Sequence, residues 1–312
     1  MSRLPSSTPL FSLSRIWIIT GNTFTHLMRM KIFYFLLVFV LIWLGVNIFK
    51  LPHTAGPEGM VGTEELRLLK APLMGTMKLF AIIIGIVATA LLIPRDMEDR
   101  TLYTILAKPV PRLDYLLGKL CGVLLLILAG LAVMTLLLDA VLWYRMQSIL
   151  AEFDNVAAIL VEQGQFTTAE RDEARGELLS QGVTWDLQAA ILVIFFEAAI
   201  ISALALLVST FSSSTLFTVV ISTLCYFIGN FIADGLDHWR GTSGMEEGGI
   251  GELSTNAIFV AFPDYRPFKI VDEVVAGQVF PPDVLGGLAL STGLYVGLYV
   301  VLSWFIFNSK EI

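Results

Sequence analysis

RDMEDRTLYTILAKPVPRLDYLLGK, residues 95–119, is the most densely charged stretch of the chain and lies between two runs that are almost wholly apolar. Its neighbours decide the fold class. The 312 residues are 56% hydrophobic and only 15% charged, with a mean hydropathy of +0.77, whereas a soluble domain is about a quarter charged. A bilayer core of about 30 Å takes about 20 apolar residues per helical crossing, because lipid offers no partner to an unpaired backbone amide. Six stretches meet that requirement, at 32–49, 73–94, 116–144, 187–210, 216–233 and 284–307. The expected fold is an all-α integral membrane protein with six transmembrane helices, forming a single transmembrane domain over 1–312. No cleavable signal is expected, since Thr20, Gly21, Asn22 and Thr23 interrupt the N-terminal region before any long apolar core.

Positive charge near a span is retained on the cytoplasmic side. With the N-terminus placed inside, the inner segments hold 10 of the 20 basic residues against only Asp96, Glu98, Asp99, Asp114 and Glu311. Both termini and residues 95–115 are then cytoplasmic, and the long loops 145–186 and 235–283 are outside. The net charge of -7 is an outward-facing acidity, and no nucleic-acid partner is expected. Cys121 and Cys225 both sit in apolar spans, which makes a disulfide framework unlikely to be the organising device.

Outside the spans, Leu13, Ile16, Trp17, Phe24, Leu27 and Met28 recur at helical spacing, which predicts an amphipathic helix over 12–28 lying in the cytoplasmic interface before the first span. Beyond span three, 148–162 and 168–180 read as two short helices joined around Gly164. The second is opened by Thr167 with Glu170 three residues on, a capping-box spacing. This extracytoplasmic hairpin is either a docking surface or lid, or a solvated structural insertion whose charges alternate in sign. In the last outer loop the flexible GTSGMEEGGIGE precedes AIFVAFPDYRPFKIVDEVV, where short interfacial helices are expected; Pro263, Pro267, Pro281 and Pro282 forbid one long one.

Few residues point to chemistry within the chain. Gly118-Lys119 has the last glycine and lysine of a phosphate-binding loop, but Leu113 stands where the first glycine belongs and Leu120 where Ser or Thr belongs. His26, His53 and His238 lie far apart, with no zinc-ligand spacing. GTSG at Gly241 lacks the glycine spacing of a nucleophile elbow. No catalytic residue, cofactor or metal site is expected. Two acids do lie inside spans: Glu197 in the middle of span four, and Asp139 nearer the outer end of span three, within reach of Arg145. A charge at mid-membrane costs about 2.5–3.5 kcal/mol on insertion scales. These two acids therefore mark either an intramembrane pathway or helix-to-helix hydrogen bonding. Small residues four apart, Gly118 with Gly122 and Gly293 with Gly297, are expected to let helices of the same subunit approach closely.

The order and spacing of Glu98, Thr101, Leu102, Leu106, Pro109, Arg112, Gly118 and Lys119 resembles the cytoplasmic segment between spans two and three of the type-2 ATP-binding-cassette (ABC) transporter permeases. Arg100 stands where many members have glycine, and Pro111 where Ser is common. The resemblance extends to the helix before span one, the proline-bearing AFPDYRPF before span six and the short charged tail FNSKEI. It implies the permease subunit of an ABC exporter in the cell (inner or plasma) membrane, paired with a second copy or a paralogue. A separate ATPase subunit would hold ATP and Mg and drive it. The same resemblance gives Glu98, Arg100, Thr101, Leu102, Pro109, Arg112 and Lys119 a role in coupling to that ATPase, through a lever helix from about Asp96 to Ala107 that ends before Pro109. A different class of function stays open beside it: a membrane scaffold whose outer loops recruit partners and across which nothing moves.

Overall fold

The computed structural model describes residues 12–30, 34, 38, 41, 42, 45, 63–98, 111–212, 214–243 and 262–309. Among the described residues the chain is helical, without strands. In chain order the elements are α1 (Leu13–Met28), α2 (Thr63–Glu98), α3 (Arg112–Glu162), α4 (Thr168–Ser180), α5 (Trp185–Phe211), α6 (Thr215–Ser243), a 3-10 turn (Arg266–Lys269), α7 (Ile270–Val275) and α8 (Pro282–Ser309). Four of them, α2, α3, α5 and α8, are long and apolar enough to cross a membrane, and α6 carries a shorter apolar stretch, Thr215–Phe231. The expected first span, 32–49, lies outside the described residues except at 34, 38, 41, 42 and 45, all helical.

Helix α5 is the centre of the bundle. It is buried on nearly every side, from Leu187 to Thr210, and packs against α2, α3, α6, α7 and α8. A helix apolar all round belongs inside a protein or a membrane. Its neighbours bury one face each and expose large apolar side chains on the other, among them Leu79, Leu136, Leu216, Phe231, Leu290, Leu294 and Phe305. So much exposed hydrocarbon suits lipid rather than water.

Two boundaries and one pair of small residues differ from the expectation. Helix α2 runs through both Pro72 and Pro94 to Glu98, so Asp96 belongs to α2, while the rest of the expected lever helix, up to Ala107, lies outside the described residues. A proline removes one hydrogen bond, but neighbouring helices and hydroxyls re-satisfy the backbone in membrane helices; here Thr76 donates to the Pro72 carbonyl at 2.7 Å. Residues 99–110, which include Arg100, Thr101, Leu102 and Pro109, lie outside the described residues.

Helix α3 is the second correction. The expected break between span three and a short helix at 148–162 does not exist: α3 is continuous for 51 residues, about 76 Å at 1.5 Å per residue. Nothing at 145–147 is a helix breaker. The helix stops at Gly164, whose φ of 69° is a left-handed conformation that glycine adopts without steric cost. There the Gln165 amide reaches the Leu160 carbonyl at 3.0 Å and the Gly164 amide reaches Val161 at 3.1 Å, the two bonds of a Schellman ending. The capping box that opens α4 forms as expected: the Glu170 amide donates to Thr167 Oγ1 and the Thr167 amide to Glu170 Oε2.

The third concerns small residues. Gly118 and Gly122 do let helices of the same subunit meet, and the partner is α1. A Cβ at Gly118 would lie 2.7 Å from the Ile19 side chain, and one at Gly122 would lie 2.6 Å from Thr23. Thr20 donates to the Gly118 carbonyl at 3.3 Å. The face of α1 turned to α3 thus carries Thr20, Thr23 and Leu27, whereas Leu13, Trp17 and Ile18 point away and are exposed. Gly293 and Gly297, by contrast, face open space within the subunit.

Replacing Gly118 with Leu is expected to force α1 off α3 and to destabilise the protein by about 1–3 kcal/mol, the usual cost of overpacking. Gly75→Ala, where an added Cβ meets nothing within 4 Å, should be neutral or slightly stabilising. Thermal denaturation of the two variants in the same detergent checks the difference.

Candidate functional site

Polar side chains gather at two levels of the bundle. The first is the end where α2 finishes and α3 begins. Asp96, in the last turns of α2, receives two donors on one oxygen: the Tyr115 hydroxyl at 2.5 Å and Lys119 Nζ at 2.6 Å. Tyr115 and Lys119 are four residues apart on α3, hence one above the other on the same face. Lys119 Nζ also lies 5.5 Å from the centre of the Tyr115 ring.

That ring stacks on Phe307 of α8, with centroids 6.0 Å apart and planes 12° from parallel. Arg112 covers Phe307 with its guanidinium, 5.6 Å from the ring centre, and donates to the Phe307 carbonyl at 2.5 Å. The last carbonyls of a helix have no partner within it and carry the negative end of its dipole. Arg112 therefore satisfies and neutralises the end of α8. Asp114, fully buried in the first turn of α3, accepts from Arg15 Nε of α1 at 3.1 Å. Side chains from the first two turns of α3 and Lys119 just beyond thus hold α1, α2 and α8.

The second level lies deep in the apolar bundle. Glu197 of α5 has no exposed surface and pairs with Lys78 of α2, Nζ to Oε2 2.9 Å. That approach is close in distance but off the hydrogen-bonding angle, which makes it an ion pair rather than a directed bond. The other oxygen, Oε1, accepts from the Tyr226 hydroxyl of α6 at 3.1 Å. The Tyr226 ring in turn lies 5.3 Å from that of Tyr265, which is buried beside Gly229; a Cβ there would come within 2.7 Å of the Tyr265 ring and the Pro263 carbonyl. A buried carboxylate is tolerated when paired and hydrogen-bonded, and Glu197 is both.

Towards the hairpin end, Asp139 is not held by Arg145. Gln188 of α5 donates to both its oxygens at 3.1 and 3.0 Å, while Arg145 faces Glu65 of α2 at 3.6 Å. The amide of Gln188 reaches Asp139 because α3 and α5 are adjacent there, which sequence distance does not reveal. Buried Lys70 donates to Gln181 Oε1. Gly277, at φ 93°, ends α7 against the Gln181 side chain, where any Cβ would collide. Asp186 accepts from the Phe280 amide at 2.9 Å and pins the segment before α8.

Of the residues expected to couple to an ATPase, Arg112 and Lys119 come together at the α2–α3 end, and Glu98 closes α2. The residues that complete that cluster, Asp96, Tyr115, Asp114, Arg15 and Phe307, were not picked out by sequence, nor were Lys78 and Tyr226 at the deeper level. A signal for two of them existed: Tyr115 and Lys119 share helical register, and Lys78 is the lone base of the apolar run 73–94. Among the described residues no three His, Cys, Asp or Glu side chains converge as a metal site would require.

A multi-pass helical membrane protein with its polar groups tied off between helices is the class defined by this geometry. Residues 23–168 match the family described as ABC-2 family transporter protein. The match begins inside α1 and covers α2, the 99–110 segment and all of α3. No curated protein matches the chain.

Lys78→Met leaves the buried Glu197 carboxylate without its counter-charge and is expected to destabilise the protein by about 3 kcal/mol, the low end for breaking a buried pair because Lys78 is partly exposed. The double variant Lys78→Met/Glu197→Gln removes both charges and should recover most of that loss. Detergent unfolding curves of the single and double variants measure it.

Proposed function

We propose that the chain is the membrane subunit of an ABC exporter, driven by a separate ATPase subunit that engages residues 95–115. The observation that carries this reading is the ABC-2 family match over 23–168, which contains the whole charged stretch. In it, Glu98, Arg100, Thr101, Leu102 and Pro109 face the ATPase, while Arg112 and Lys119 join the segment to the bundle. ATP and Mg are held by the partner, and this chain needs no cofactor of its own.

The same reading places the protein as six spans in the cell membrane, both termini cytoplasmic, with a second copy or a paralogue completing the transporter. The excess of basic residues around the α2–α3 end supports that orientation. Glu197 and Asp139 are then the intramembrane acids that a polar cargo would meet. In the present conformation both are engaged, Glu197 by Lys78 and Tyr226 and Asp139 by Gln188.

The full-length protein, purified with the ATPase that accompanies it, tests the proposal. Charge reversal by Glu98→Arg or Arg100→Glu should change the ATP hydrolysis rate of the complex several-fold while size-exclusion chromatography shows the assembly intact. Hydrolysis unchanged by both reversals removes the coupling role from this segment. Failure of any ATPase to accompany the parent protein leaves the scaffold function, with the hairpin and the 235–283 loop as its recruiting surfaces.

A further inference from the structure

Asp96 ties together the two sides of the segment that the coupling reading assigns to the ATPase. It sits two residues before the end of α2, and its partners Tyr115 and Lys119 sit in the first turns of α3. Between these helices the backbone runs through residues 99–111. A push on that connection is shared by the flanking helices only where the helices are themselves joined.

The joint is well placed to be stiff. Asp96 Oδ2 accepts from Tyr115 at 2.5 Å and from Lys119 at 2.6 Å, and Lys119 is nearly buried. A charge-assisted bond shielded from water is stronger than the same bond on a surface. Each donor is anchored in turn. Tyr115 is fully buried and stacked on Phe307, whose carbonyl is held by Arg112. One residue before Tyr115, Asp114 is paired with Arg15 of α1, and the Gly118 contact lays α1 directly on α3. Hence α1, α2 and α8 all connect to the same two turns of α3, and the Asp96 carboxylate is a polar link of α2 to them.

We infer that Asp96 is a positioning residue for energy coupling: it locks α2 to α3 and, through Tyr115 and Phe307, to α8, so that the ends of these helices move as one body when the segment is displaced. The inference rests on the coupling role proposed above. It adds that displacement of 99–110 is delivered to four helices together, with Asp96 as the polar link between α2 and α3 at that end.

The test uses the full-length complex with its ATPase in lipid nanodiscs, on a Cys121→Ala/Cys225→Ala background, with spin labels at Leu91→Cys on α2 and Asn308→Cys on α8. Leu91 is half-buried and Asn308 exposed. With Asp96 intact, the distance distribution between the labels is expected to be the same with and without ATP. Asp96→Asn should broaden it and make it nucleotide-dependent, and Asp96→Glu should restore the narrow distribution. Tyr115→Phe removes one of the two bonds, keeps the ring on Phe307 and should give an intermediate width. It carries the test if Asp96→Asn fails to fold. A nucleotide-dependent shift of about one helical turn, roughly 5 Å, in the protein with Asp96 intact overturns the inference. So do Asp96→Asn and Tyr115→Phe distributions that match the parent's. Both results leave the ATPase coupling itself standing, whereas a complex that forms with no ATPase removes that reading first.

Discussion

A carboxylate with no exposed surface, in the middle of a helix that is otherwise hydrocarbon, constrains everything around it. Glu197 needs a counter-charge and a hydrogen-bond donor at distances that only neighbouring helices can supply. Lys78 and Tyr226 meet that need, and in doing so fix α2 and α6 against α5 at one depth. Close approach then becomes possible nearby. At Gly85 of α2, seven residues on from Lys78, a Cβ would collide with the Ser202 hydroxyl of α5. Charge pairing and the absence of a side chain act together at this crossing, the first giving direction and the second distance. Tyr226 extends the constraint to the segment before α8, because Tyr265 packs against both Tyr226 and Gly229.

The same physics recurs at the α2–α3 end with a different balance. Hydrophobic burial cannot tell one apolar helix from another in lipid, so helix association there rests on packing, small residues and polar contacts. Helix α1 is a clear case. Trp17 and Ile18 are exposed, and the face it gives to α3 includes two buried threonines opposite two glycines. The same side also carries Leu27, with Phe24 and Met28 packed against the core, so apolar and small polar side chains share the helix contact. An amphipathic pattern identifies such a helix correctly but cannot say which face is inside.

What was legible in the sequence follows from the range of the interactions. The apolar runs of α2, α3, α5 and α8 announce themselves because about 20 consecutive residues carry the signal. The Thr167–Glu170 box and the role of Gly164 are local and were readable within a few residues. The unbroken passage of α3 beyond residue 144 was obscured by the fall in hydropathy there, although a helix leaving an apolar environment need not end if its residues favour helix. Helix α2 likewise continues beyond the apolar run 73–94 at both ends, through Pro72 and Pro94, since tertiary packing outweighs a local breaker. The pairings at the site lie beyond local range: Asp96 reads in the sequence only as the start of a lever helix although its partners are 19 and 23 residues away, and Lys78 with Glu197 are separated by 119. Nothing local distinguishes Gln188 from Arg145 as the partner of Asp139; only the adjacency of α3 and α5 does.

Helix α3 gives these local arrangements a common mechanical frame. It begins at the residues that hold α1, α2 and α8, and it continues without a break to the turn at Gly164. Backbone hydrogen bonds repeat at every residue along it, so a tilt imposed near Arg112 is transmitted along the rod rather than absorbed at a joint. At its far end Phe153 and Ala157 are buried, with Leu178 of α4 buried beside this stretch, and Arg175 reaches Asp154 across exposed surface. An exposed ion pair of that kind contributes at most about 1 kcal/mol, so the apolar contact is what joins α4 to the rod. A short hinge between span and hairpin would have separated the two ends of the molecule. Its absence means that α4 follows α3, and that whatever moves the α2–α3 end moves the hairpin as well.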